Sequence, residues 1–157
     1  MSMLAVHPRV LADLGRALSL ELTAVQQYLT QAVLAESWGD SQAADRFRRE
    51  TVEEMQHAER LVKRMISLGV APGASQLRPA AHASDLEGLL HLNAELEQQL
   101  VAHYADAMAL CVRIGDRENA AFFHDLWQEE QQHGEELASW LESLREQTTS
   151  LLTRAAV

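Results

Sequence analysis

No proline interrupts residues 9–71 or 80–157, so the chain is free to run as long helices over most of its length. Apolar residues recur at three- and four-residue steps through both stretches, and Gly39, Gly69 and Gly115 fall where such runs would end. The spacing predicts helices at about 8–37, 41–68, 85–114 and 117–147, with a short fifth helix at about 150–156. Pro8 suits a first helical position, and Ser84-Asp85-Leu86-Glu87 reads as a capping box. A chain of 157 residues fits one all-α domain, 1–157, large enough to be stable without covalent staples.

The connections set the topology. Turns of a few residues at Gly39-Asp40 and Gly115-Asp116 make the first and second helices, and the third and fourth, antiparallel neighbours. The link over about 69–84 contains Pro72, Gly73 and Pro79. Extended, it reaches about 50 Å, against roughly 42 Å for a helix of about 28 residues. It can therefore run the length of the bundle and start the third helix parallel to the second, giving a four-helix bundle with one long crossover.

Reading the buried stripe of each helix places charge where a core should be. The first stripe runs Leu14, Leu18, Glu21, Val25, Tyr28; the second Phe47, Glu50, Glu54, His57, Leu61; the third Leu90, Asn93, Glu97, Leu100, Tyr104; the fourth Phe123, Leu126, Glu130, His133, Leu137. Four carboxylates at one depth would repel one another severely unless something positive sat between them. No Lys or Arg falls on these stripes, whereas two divalent cations would balance four carboxylates, with His57 and His133 completing the ligand shells. Hard oxygen donors with imidazole suit iron or manganese. The register agrees, because Glu21 precedes Glu54 by 33 residues, Glu97 precedes Glu130 by 33, and each later Glu is followed three residues on by His. Measured from the tight turns, all six groups lie roughly 21 to 27 Å along the bundle. Glu-x6-Tyr recurs as Glu21/Tyr28 and Glu97/Tyr104, so the halves look like a pseudo-repeat. Glu53 and Glu129 lie one helical step of about 100° off the stripe and read as outward-facing.

At these residues the sequence resembles bacterioferritin, in Glu21-Leu-Thr-Ala-Val-Gln-Gln-Tyr28, Trp38-Gly39, Glu53-Glu-Met-Gln-His-Ala-Glu-Arg60, Leu96-Glu97 and Glu129-Glu-Gln-Gln-His133. The resemblance implies a ferritin-like bundle in which Glu54 and Glu130 bridge two iron ions per subunit, Glu21 and His57 complete one half, and Glu97 and His133 complete the other. It implies ferroxidase activity, Fe(II) oxidised at this site, and storage of the ferric product in a cage of 24 subunits built from dimers. It also implies haem b shared between two subunits, with Met55 as axial ligand; one residue past Glu54, Met55 is rotated toward a helix surface, and the alternative is an ordinary packing methionine. A second bacterioferritin subunit type and a ferredoxin-like electron donor are further partners of that kind. Where family members with an inner-surface iron site carry a His and an Asp on the second helix, this chain has Arg49 and Glu53. Glu50 reads as an iron-entry carboxylate or as an exposed or paired glutamate.

Smaller di-iron or di-manganese oxidoreductases of peroxidase or catalase type use the same ligand geometry and form the competing reading. The single cysteine, Cys111, excludes a Cys-x-x-Cys iron domain and any disulfide framework. Tyr28 and Tyr104 read as core aromatics or as electron donors beside the irons. A formal net charge of -10 argues against a nucleic-acid partner. The start, Met1 to Pro8, lacks a basic region followed by a long apolar run, and charges interrupt every later apolar run, so a cytoplasmic protein with no membrane span is expected.

Overall fold

The computed structural model describes residues 5–73 and 76–156; residues 1–4 of the N-terminal reading, 74–75 of the crossover and 157 lie outside the described residues. Four helices account for most of the chain: α1 Pro8–Ser37, α2 Ser41–Ser67, α3 Leu86–Ile114 and α4 Arg117–Ala155. α1 packs against α2, α3 against α4, and the two pairs join along α1 and α3. None of the helices is long and apolar enough to cross a membrane.

Local chemistry explains where each helix starts and stops. Pro8 opens α1 with its fixed φ, and the His7 ring accepts from the Arg9 amide at 3.2 Å. Between α3 and α4, Gly115 sits at φ 77°, a left-handed conformation that costs glycine little, while the Asp116 carboxylate accepts from the Asn119 amide at 3.1 Å. One helix is thus ended and the next begun within two residues. The capping box expected at Ser84 to Glu87 does not form. Asp85 is the N-cap instead and accepts from the Gly88 amide at 2.8 Å. The crossover arrives so close that a Cβ on Gly88 would stand 2.7 Å from the Ala83 Cβ.

The separate fifth helix is also corrected, because residues 150–155 continue α4 and Ala156 is its C-cap. No glycine or proline follows Gly134 to stop the helix. The hydroxyls of Thr148, Thr149 and Thr153, which would have to cap a break, donate back to the carbonyls of Leu144, Arg145 and Thr149 at 3.0, 3.0 and 2.9 Å. At 39 residues α4 is longer than α1 at 30, by about 13 Å.

The core follows the predicted stripes. Leu14, Phe47, Leu61, Leu90, Leu100, Phe123 and Leu126 are buried, with apolar layers above and below the level of Glu21, Glu54, Glu97 and Glu130. Phe47 packs against Tyr28 and Trp140, and Phe123 against Tyr104. The two ends differ in one respect. Gln27 donates to Asn93 at 2.7 Å and Asn93 donates to Gln31 at 2.6 Å, a buried amide chain that ties α1 to α3 at one end of the site.

Candidate metal centre

Each helix brings part of one buried cluster: Glu21 from α1, Glu54 and His57 from α2, Glu97 from α3, Glu130 and His133 from α4. The four carboxylates are at most 1% exposed. All six residues picked out from the sequence therefore meet. They form two overlapping sets, Glu21/Glu54/His57/Glu130 and Glu54/Glu97/Glu130/His133, and within each set one ligand-type atom per residue lies within 4.8 Å of the others.

The overlap distinguishes central from terminal carboxylates. Glu54 sends Oε2 to within 3.2 Å of His57 Nδ1 and Oε1 to within 3.1 Å of His133 Nδ1. Glu130 does the same, with Oε1 2.8 Å from His57 Nδ1 and Oε2 3.4 Å from His133 Nδ1. Each central carboxylate thus has one oxygen in each half. Glu21 faces only the His57 half, at 3.6 Å from Nδ1. The outer oxygens of the terminal pair are held by phenols across α1 and α3: Tyr28 donates to Glu97 at 2.6 Å, and Tyr104 donates to Glu21.

Four buried carboxylate oxygens, Glu21 Oε2, Glu97 Oε2 and both of Glu130, lack an aligned hydrogen-bond donor. The Glu130 oxygens are near the imidazoles, but the Nδ1–H groups align with Glu54. No Lys or Arg forms an ion pair with the four carboxylates among the described residues. Protons take up part of the strain. Burial, then the charges of Glu97 and Glu21, push Glu54 up to about 8, and burial with Glu21 and Glu54 pushes Glu130 up to about 7. Burial and the neighbouring Glu130 raise Glu97 well above the usual carboxylate range. Burial would raise Glu21 too, but hydrogen bonds from His57, Glu54 and Tyr104 outweigh it and hold that group low. Burial by itself would depress the histidines; hydrogen bonds to Glu130, Glu21 and Glu54 instead raise His57 strongly, and those to Glu130 and Glu54 raise His133 to about 12. Burial above all keeps both tyrosines protonated and able to donate.

Glu53 and Glu129, expected to face outward, do more than that. His57 Nε2–H donates to Glu129 Oε2 at 2.8 Å, and His133 Nε2–H donates to Glu53 Oε2 at 2.8 Å. Each outer glutamate reaches the imidazole of the opposite helix while its side chain stays about half exposed. The doubled glutamate in both Glu-Glu-x-x-His segments was the available signal. With Gln56, Gln132 and Glu136 these groups line a 330 Å³ cavity that opens over both rings. Glu50 is partly buried, its carboxyl raised by that burial, and it offers a ligand-type oxygen within 4.8 Å of those of Glu53 and His133. Met55 is elsewhere, half exposed on the outer face of α2.

Residues 11–146 match the model of the ferritin-like domain family. The chain is 31% identical to the bacterioferritin of Brucella melitensis, over 88% of this chain and 86% of that protein. It is 30% identical to the bacterioferritin of Rhodobacter capsulatus, over 80% of this chain and 78% of that one. A solved structure of the Rhodobacter capsulatus protein, with a metal-free dinuclear site and a haem iron in a crystallographic special position, aligns with a TM-score of 0.85 at 28% identity, covering 89% of this chain and 88% of that chain.

Proposed function

Because the chain belongs to the ferritin-like domain family, and within it to the bacterioferritins, we propose that Glu21, Glu54, His57, Glu97, Glu130 and His133 hold two iron ions between its four helices. It is an iron-storage subunit and a ferroxidase. The observation that carries the residue assignment is the set of buried carboxylate oxygens that face one another without a hydrogen-bond donor, with two imidazoles as the only nearby positive groups among the described residues. Two divalent ions would supply the missing positive charge, and the overlapping sets would offer each of them one histidine, one terminal carboxylate and an oxygen from Glu54 and from Glu130.

Iron bound there supplies the redox step, each Fe(II) giving an electron to dioxygen or peroxide. The chain's own groups prepare for it. Glu54 and Glu130 hold the two ions in one geometry, and Glu21 and Glu97, each steadied by a tyrosine hydroxyl, close the outer positions. In the metal-free state the histidines carry protons on Nδ1 that must leave when that atom becomes a ligand, so loading releases protons. The carboxylate level is buried between apolar layers, and the cavity over His57 and His133 offers a polar approach to it.

The ferric product is stored inside a homo-oligomeric shell, which we take to be 24 subunits built from dimers. The thioether of Met55 is free on the α2 surface beside exposed Val52, which suits haem b held between two subunits. Two copies of Met55 would hold the haem through their sulfurs, and the haem would supply electron transfer. A ferredoxin-like donor, a second subunit type and a cytoplasmic setting belong to the same reading, as does one domain spanning the chain. Anaerobic Fe(II) titration with size-exclusion chromatography tests it. Saturation at two ions per chain in a particle near 24 subunits supports the reading. A small oligomer would favour a di-iron or di-manganese peroxidase or catalase.

A further inference from the structure

The two halves of the site are related by an offset of 76 residues, which carries Glu21 to Glu97, Glu54 to Glu130 and His57 to His133. The outer carboxylates obey it too, Glu53 corresponding to Glu129, and their distances to the imidazoles are the same 2.8 Å. Three residues past each histidine the halves differ by a reversal of charge, because Arg60 corresponds to Glu136. Arg60 Nη1 donates to Glu129 Oε1 at 2.7 Å, so the carboxylate behind His57 is neutralised. The carboxylate behind His133, Glu53, pairs with no Lys or Arg among the described residues and lies in one group with Glu50, on which the charge of Glu136 also acts. Arg46 on that side lies over the Trp140 ring at 4.1 Å, reaches the Glu136 carbonyl at 3.4 Å and offsets part of the charge at Glu50.

From this asymmetry we propose that the two metal positions are unequal, and that a divalent cation fills the His133/Glu97 position before the His57/Glu21 position. The inference rests on the two-metal reading above. Both rings are already oriented by equal hydrogen bonds, so pre-organisation does not separate the halves; the charge just outside them does. One half has a carboxylate with its charge cancelled by Arg60, and the other has an unpaired carboxylate beside Glu50 and Glu136, which Arg46 offsets only in part. Fields of unit charges a few ångströms from a divalent ion, even when softened by solvent at the mouth, change its affinity by about tenfold. Glu53 and Glu129 are then positioning residues, and Arg60 and Glu136 decide which half is stronger.

The test is direct. Crystals of the metal-free full-length protein are soaked at increasing Co(II), and anomalous scattering gives the occupancy of each position. In the wild type the His133 position should reach half occupancy at about tenfold lower Co(II). Arg60→Gln should bring the two curves together, and the double exchange Arg60→Glu with Glu136→Arg should reverse their order. Equal filling, or filling of the His57 position first, in the wild type overturns the proposal while leaving the two-metal site intact. An unchanged order in the exchanged variant also overturns it. Saturating Co(II) that appears at neither position defeats the two-metal reading itself.

Discussion

Stripping the metal should make the protein lose stability as pH rises, the reverse of what a set of ordinary carboxylates would do. Glu54 is raised to about 8 and Glu130 to about 7 from the ordinary 4.5, and His133 to about 12 from 6.5, with His57 raised strongly as well. A group raised on folding binds more protons in the folded than in the unfolded chain between its two values. Its contribution is therefore full at low pH and fades as pH climbs through the folded value. Glu54 acts in this way from 4.5 to about 8, Glu130 from 4.5 to about 7, and His133 from 6.5 to about 12. Glu21, which is lowered, works in the opposite sense but below 4.5, outside this window. Between pH 7 and 8 the folded chain then holds roughly three to four protons more than the unfolded one, Glu97 being raised as well, and at about 1.4 kcal/mol per proton per pH unit the loss is on the order of 4–5 kcal/mol. The assay is urea unfolding of chelator-treated protein from pH 6 to 9 at one fixed protein concentration, since assembly makes stability depend on concentration. A parallel series with Zn(II), which replaces the protons without redox chemistry, should flatten or invert the slope. Metal-free protein with constant or rising stability over this range would refute the description of the cluster as buried and proton-bridged.

Glu130→Ala should lower the rate of Fe(II) oxidation in stopped-flow absorbance by more than the about 10–100-fold that loss of an outer partner costs, with helix content unchanged; a wild-type rate in an assembled variant would remove Glu130 from the site. Met55→Leu should abolish bound haem, read from the visible spectrum after supply of excess haem, and leave ferroxidation intact, because Leu keeps packing volume but has no sulfur to donate. Haem retained in that variant would mean another ligand. Asn93→Leu should cost about 2–4 kcal/mol in urea unfolding, since it strands the Gln27 amide and the Gln31 carbonyl in the core; a change under about 0.5 kcal/mol would show that the amide chain is not a buried network.

Much of the site was legible along the chain because helical periodicity is a local property. Glu21, Glu54, Glu97 and Glu130 stand on apolar stripes, and their distances from Gly39 and Gly115 alone bring them to one level, which the structure bears out. The four helices and the single crossover follow from the same punctuation. What the chain did not disclose depends on how helices face one another. Glu53 and Glu129 are off the stripe of their own helices, yet α2 and α4 pack so that each reaches over the edge to the other's histidine. Asn93 could be read as a polar residue on a core stripe, but only the antiparallel register of α1 and α3 supplies Gln27 and Gln31 as its partners.

Helix ends fell between these cases. Pro8, Gly39 and Gly115 set boundaries through their own dihedral preferences, whereas Ser84 lost the cap to Asp85 and the Thr148-Thr149-Ser150 segment stayed helical. A hydroxyl or carboxylate can bond forward as a cap or back to a carbonyl within the helix, and that choice depends on the path of the surrounding chain. The sequence by itself determined the helices, their faces and the depth of six ionisable groups, because these depend on residues three or four apart. Only the tertiary structure decided which carboxylate stands behind which imidazole and that Arg60 neutralises one of them, because those contacts join residues 69 to 80 positions apart.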